Sequence, residues 1–316
     1  MQFHLNINAE PFAKKISAGQ GLFLLGSCFT EEIGNKLLDA KLHTYINSHG
    51  ILFNPISLAR SLDDCIGKKE YSKTELSETN ATWHSWNHHS RFNQANPENY
   101  LSEINTRILS ANTFIKRADW LIVTFGTAHA YKLISNGNIV GNCHKAPATL
   151  FEKVLLTVNE IVATWTKTLD ELGKLNPGIK IIFTLSPVRY LRDGIVESNL
   201  SKAILLLAIH QLKQQRADRF YFPAYELIID DLRDYRFYKD DLTHPNAAAV
   251  NYVWEKFISA VVDDSTTAMI EEVEKLNKFL QHKTMSSNPG ELEKHENKKS
   301  QLLASLRSKF PKLNWE

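Results

Sequence analysis

The sequence predicts an α/β domain with a mostly parallel sheet flanked by helices, followed by a helical appendage. Three observations carry this. Short apolar runs alternate with longer amphipathic ones from about residue 20 to residue 262. Several short runs are continuously apolar, as strands covered on both faces are. Beyond Val262 the chain turns charged and helical, with a Pro-Gly break inside it. The expected domains are therefore 1–262 and 263–316.

The elements follow in order. "GLFLLGS" (21–27) is a short buried strand closed by glycine. "TEEIGNKLLDAKL" (30–42) has Ile33, Leu37 and Leu38 on one face and reads as a helix with Thr30 as its N-cap. "HTYIN" (43–47) suits a second strand, and "ISLARSLDDCI" (56–66) a helix in which Cys65 is a core residue. Residues 68–96 are irregular, rich in aromatics and histidine. "PENYLSEINTRILSANTFIKRA" (97–118) is a helix with proline in its first turn. "DWLIVTFGTAHAYKLI" (119–134) is a strand that breaks at Gly126 and resumes, and "SNGN" (135–138) is a tight turn.

Residues 149–175 read as one long amphipathic helix stopped by "NPG". "IKIIFTLSPV" (179–188) is a strand, 198–217 a helix capped by Ser198, and "RFYFPAY" (219–225) a strand. The last helix of the domain, 244–262, carries Pro245 in its first turn. Two charged helical segments flanking "TMSSNPG" then form the hairpin.

Composition narrows the function classes. A net charge of +2 gives no electrostatic case for nucleic acid or a membrane surface as partner. No apolar run approaches the ~20 residues of a membrane span. The N-terminus lacks a basic segment followed by an apolar one, and the three cysteines form neither a disulfide framework nor a zinc pattern. A cytoplasmic protein with reduced thiols is expected, with no cofactor and no metal. His84, His88, His89 and Cys143 match no zinc spacing.

Ligands of open parallel sheets bind outside the carboxyl ends of the strands, so the loops there are the places to look. "GSCF" places Ser27 and Cys28 between a strand and a helix, where free N–H groups and the helix dipole favour an anion. A thiol in that position can fall from ~8.5 to ~3.5–7.5 in pKa, whereas a hydroxyl needs a general base. The same small residues also suit a crowded turn with Cys28 as a core side chain. "DDLTHPN" supplies Asp241 and His244 at D-x-x-H spacing, which lets a carboxylate fix the tautomer of an imidazole. An ordinary surface turn uses the same residues.

Together the two motifs are more specific. With "SHGILFNPIS" (48–57), "FGTAHAY" (125–131), "NCHKAP" (142–147), "TLSPVR" (184–189) and "ESNLSKA" (197–203), they make the chain resemble the GSCFA family, within the SGNH (GDSL-like) hydrolase superfamily, over roughly residues 3–260. Thr30 stands where the family signature has Ala, a change that reads as remote from the site. The resemblance implies a three-layer α/β/α sandwich with a flavodoxin-like sheet. It also implies an acyl esterase acting on a small-molecule or glycan acyl ester.

Aligning Gly-Asp-Ser-Leu with Gly26-Ser27-Cys28-Phe29 puts the nucleophile on Cys28; sliding one residue to use Ser27 loses the glycine and apolar matches. His244 becomes the general base and Asp241 its orienter. The implied oxyanion hole combines the nucleophile's own N–H, Gly50, and an Asn that is absent after Gly126. Losing one such donor typically lowers kcat by ~10²–10³, so Asn54, His129 and Asn142 are candidate replacements. His144 and Arg189 are candidates for binding an anionic substrate group. Two further readings stay open: an O-acyltransferase, since a thioester remains reactive towards alcohols, and a catalytically silent ligand-binding module. The acyl group and the oligomeric state are not legible.

Overall fold

Leu22 and Leu24 pack on one side of β1 (Leu22–Gly26), Phe23 and Leu25 on the other, and all five residues of the strand are buried. That is the signature of a strand inside a parallel sheet, and the same alternation recurs in its neighbours. The computed structural model describes residues 7, 9–281 and 289–315. In it β1 pairs in parallel with β2 (Thr44–Ile46) and β5 (Trp120–Phe125); β5 pairs with β9 (Lys180–Leu185), and β9 with β10 (Arg219–Phe222). The spatial order β2-β1-β5-β9-β10 is the flavodoxin-like order 2-1-3-4-5, and every pairing in this sheet is parallel.

Helices cover both faces. On one, Leu22, Leu24, Ile122 and Ile182 pack with α1 (Cys28–Asp39) and α7 (Ala247–Val261). On the other, Phe23, Leu25, Val123 and Phe183 pack with α2 (Pro55–Gly67), α3 (Pro97–Ile115), α4 (Val158–Leu175) and α5 (Ile195–Gln214). The expected sandwich is therefore present. Between α5 and α7, the short helix α6 (Ala224–Glu226) runs on into a π-helical turn, Leu227–Leu232.

Two small sheets decorate the carboxyl end of the large one. The irregular segment contains a hairpin, β3 (Ser77–Thr79) and β4 (Thr82–His84). The chain that leaves β5 forms an antiparallel sheet in the order β7-β6-β8, from β6 (His129–Leu133), β7 (Ile139–Val140) and β8 (Phe151–Leu155).

Four boundaries differ from the sequence expectation. The helix expected from residue 149 starts at Val158, and the residues before it are β8, paired with β6. A capping box marks the true start: the Glu160 N–H donates to Thr157 Oγ1 and the Thr157 N–H to Glu160 Oε2. α1 begins at Cys28 with Ser27, not Thr30, at the N-cap. Ser198 is inside α5, buried, with its hydroxyl accepting the Tyr190 N–H. α7 starts after Asn246, whose side chain accepts the Ala249 N–H, so His244 and Pro245 lie in the preceding loop.

The C-terminal segment packs onto the domain. Ile270 and Val273 of α8 (Asp264–Gln281), with Phe310 and Leu313 beyond α9 (Pro289–Lys309), are buried in the same cluster as Leu24 and Trp254. The Asn314 N–H donates to the Lys41 carbonyl, tying the chain end to the loop before β2. Of the break expected at "TMSSNPG", Pro289 and Gly290 open α9, and 284–288 lie outside the described residues.

Candidate active site

The site sits at the crevice between β1 and β5, where the strand order reverses. β1 ends in Gly26, whose φ is +154°. A Cβ there would lie 2.7 Å from the Thr124 carbonyl oxygen and would collide with Thr30 Oγ1. Glycine therefore lets the chain turn directly from the sheet into α1. Thr30 is consequently not remote from the site: it is buried against this turn, and its hydroxyl has no partner among the described residues.

Cys28 is the first residue of α1 and is partly buried. Its Sγ lies 3.7 Å from His244 Nε2. His244 Nδ1 is 2.7 Å from Asp241 Oδ2, and Asp241 Oδ1 accepts the backbone N–H groups of Thr243 and His244, each at 2.9 Å. The D-x-x-H spacing thus makes a closed local unit in which one carboxylate fixes both the backbone and the ring. These N–H groups and the imidazole hold the Asp241 carboxyl down at about 2.

Ser27 has no such partner. Its side chain is buried, and its hydroxyl meets neither His244 nor any other polar partner among the described residues. The thiol differs from the sequence expectation in one respect. Burial pushes it above its ordinary value, and Glu31 and Glu32 push the same way, against the N–H groups of Cys28 and Phe29 that face the sulfur. Desolvation outweighs the helix N-terminus, so the resting group is a thiol beside a base rather than a free-standing thiolate.

A cavity of about 370 Å³ opens at Cys28 and His244. Gly126, His129, Asn142, Arg189 and Asn54 line it, whereas Gly50 and His144 do not. The Gly50 N–H donates to the Asn47 carbonyl at 2.9 Å and is already occupied. Asn54 caps α2: its Oδ1 accepts the Ser57 N–H, and its Nδ2 donates to Ser57 Oγ and the Val140 carbonyl. Asn142 Oδ1 accepts the His144 N–H, which leaves the amide NH₂ for the cavity. His129 Nε2 has no hydrogen-bond partner among the described residues and lies 3.9 Å from a Glu197 carboxylate oxygen. The Arg189 guanidinium stacks over Tyr238 at 4.5 Å.

One residue of the site was not identified from the sequence. Lys202 of α5 is buried beneath the cavity, and its Nζ donates to the carbonyls of Gly126 at 2.6 Å and Ser186 at 2.7 Å. It thereby clamps the chain leaving β5 and β9 at Gly126 and Ser186, which line the cavity together with Cys28. Desolvation pushes Lys202 down to about 7, and negative charge on Cys28 pulls it back up. The "ESNLSKA" motif contains this lysine, but α5 is apolar around most of its circumference, so its pattern does not single out the face that is buried.

His144 belongs to a different cluster. It stacks on His84 with ring centres 4.0 Å apart, and His88 stacks on His49 at 4.2 Å. Both nitrogens of His84 and His88, and Nδ1 of His144, are buried without partners among the described residues. Among those residues no three His, Cys, Asp or Glu side chains are placed to hold a metal ion. Burial lowers all three imidazoles, His144 to about 3 and His88 well below its ordinary value. Below ~6.5 the unfolded chain therefore binds more protons than the folded one. Stability is expected to fall as pH drops from about 6.5, and for His144 to keep falling to about 3. Urea midpoints at pH 7.5 and pH 5 measure this. His88→Phe, which removes two unpartnered nitrogens, should narrow the gap between the two midpoints.

No helix among the described residues is long and apolar enough to cross a membrane. Compared with solved structures, the chain resembles a carbohydrate esterase family 3 protein from Talaromyces cellulolyticus, with a TM-score of 0.38 at 10% identity over 81% of this chain and 99% of that one. It also resembles an acetyl xylan esterase from the rumen bacterium Butyrivibrio proteoclasticus, with a TM-score of 0.39 at 11% identity over 76% and 63%. A family two carbohydrate esterase from Clostridium thermocellum, in complex with cellohexaose, gives 0.37 at 8% identity over 84% and 67%. None of the curated proteins compared with the chain matches it. The GSCFA family model matches residues 21–257, which include both halves of the site, and the chain belongs to the GSCFA family.

Proposed function

We propose that this protein hydrolyses carboxylic esters through an acyl-enzyme on Cys28. The observation that carries the reading is the array Cys28–His244–Asp241, with Cys28 and His244 lining the cavity. His244 takes the thiol proton as Sγ attacks the acyl carbon. The S–C bond forms, the C–O bond of the ester breaks, and His244 returns the proton to the leaving alcohol. Asp241 holds the ring and stabilises the imidazolium. Water, deprotonated by His244, then releases the acid and the thiol.

The oxyanion faces the first-turn N–H groups of Cys28 and Phe29, which accompany the sulfur at the start of α1. Across the cavity the Asn142 amide takes the place of the missing Asn, with His129 as a second donor. The Gly50 N–H and both N–H groups of the Asn54 side chain are already engaged, which favours Asn142 and His129 over them. Lys202 supports the negative charge from below. Transfer to an alcohol is the second reading, favoured by the thiol itself, because a thioester still acylates alcohols.

An activity screen with aryl esters on wild type, Ser27→Ala, Cys28→Ala and His244→Ala tests this. No turnover of any acyl donor by folded wild-type protein would sink it. A pH series tests the state of the thiol. Because burial raises Cys28, its thiolate fraction grows as pH rises, and iodoacetamide labelling should still accelerate above pH 8. A plateau reached below pH 7 would indicate a pre-formed thiolate instead.

A further inference from the structure

Much of the cavity wall is apolar. Phe53, Ala130, Tyr131, Val140, Val188 and Tyr190 supply this surface, and no Asp, Glu or Lys lines the cavity. The Tyr131 and Tyr190 hydroxyls bond to each other, which turns both phenol rings into surface for contact. The one guanidinium lining the cavity among the described residues, Arg189, is engaged by Tyr238 and Tyr235. At about 370 Å³ the space falls within the ~300–1,000 Å³ of pockets that enclose whole ligands, far beyond the needs of an acetyl group.

The rim is different. His244 and Asp241 have side chains 38% and 49% exposed. His244 must reach the leaving oxygen to protonate it, so the alcohol half of the ester lies on this wet, polar side. The acyl half then extends the other way, into the apolar space.

We infer that the substrate is an ester of an extended apolar acyl group, of medium chain length rather than acetyl, whose tail fills the cavity between Phe53 and Tyr190. The inference rests on Cys28 as nucleophile and adds the acyl specificity. Each methylene moved from water into such a wall contributes roughly a fourfold gain in binding.

The test is a series of p-nitrophenyl acetyl, butyryl, hexanoyl and octanoyl esters, each kept below its aggregation limit, with Cys28→Ala as the control for every ester. The expected result is a rise in kcat/KM of about 15-fold for each two carbons added. Tyr190→Ala, which opens the wall at a partly exposed position, should reduce the octanoyl-to-acetyl ratio by about tenfold. That ratio is taken within one preparation and is insensitive to the folded fraction. Turnover that depends on Cys28 but is flat or highest for acetyl overturns the inference and leaves the esterase reading standing, as does a Tyr190→Ala ratio equal to wild type. Turnover that survives in Cys28→Ala, or none with any ester, overturns the reading beneath it.

Discussion

Replacing Cys28 with alanine is expected to lower kcat/KM on any accepted ester by at least ~10⁴-fold, while Ser27→Ala stays within about tenfold of wild type. The two residues are adjacent, both line the cavity, and both carry a nucleophilic atom. Geometry separates them. The Cys28 sulfur is 3.7 Å from His244 Nε2, on a ring backed by the Asp241 carboxylate, whereas the Ser27 hydroxyl is buried without a partner among the described residues. A hydroxyl is a weak nucleophile without an adjacent base, so an isolated serine is a poor candidate for attack. His244→Ala should fall with Cys28→Ala, because the thiol is protonated at rest and needs the base to react. The double variant should be no worse than either single one, as for residues that act as a unit. Circular dichroism and a urea melt of each variant separate loss of chemistry from loss of fold.

The second large effect is expected at Lys202. Lys202→Gln should lower kcat by ~10²–10³-fold, the size of one lost oxyanion-type interaction. Glutamine retains two N–H donors for the Gly126 and Ser186 carbonyls but carries no charge. If Lys202 only clamps the strand ends, glutamine rescues most activity and leaves the thiol unchanged. If its charge supports Cys28, the pH midpoint of iodoacetamide labelling moves up in Lys202→Gln. The direction follows from reciprocity: negative charge on Cys28 raises Lys202, so positive charge on Lys202 must lower Cys28. A purely structural residue would alter stability without moving that midpoint.

What the sequence reveals depends on how local each feature is. Asp241 and His244 are legible because one turn of chain contains the whole unit. Cys28 is legible because strand, glycine, nucleophile and helix follow one another in eleven residues, Leu22–Glu32. The sheet is legible because each strand is apolar on both faces. Lys202 is not, because its burial comes from the docking of α5 under two strands that precede it. β8 is hidden for a similar reason: "FEKVL" becomes a strand only through β6, twenty residues earlier, and local periodicity assigns it to the following helix. The Thr157–Glu160 capping box is present in the sequence and marks that boundary. His144 reads as a loop residue beside the site. In the fold it stacks on His84, sixty residues away, and its neighbour Asn142 is the one that faces the cavity.

The most direct test of the account is to trap the acyl-enzyme. Wild-type protein is mixed with an activated octanoyl ester and quenched in acid within milliseconds. Intact mass and peptide mapping then locate the adduct. The account predicts one octanoyl group per chain, on the peptide containing Leu22–Glu32, carried by Cys28 as a thioester that neutral hydroxylamine removes. An adduct on Ser27 that resists neutral hydroxylamine, or turnover with no adduct on this peptide, would contradict it.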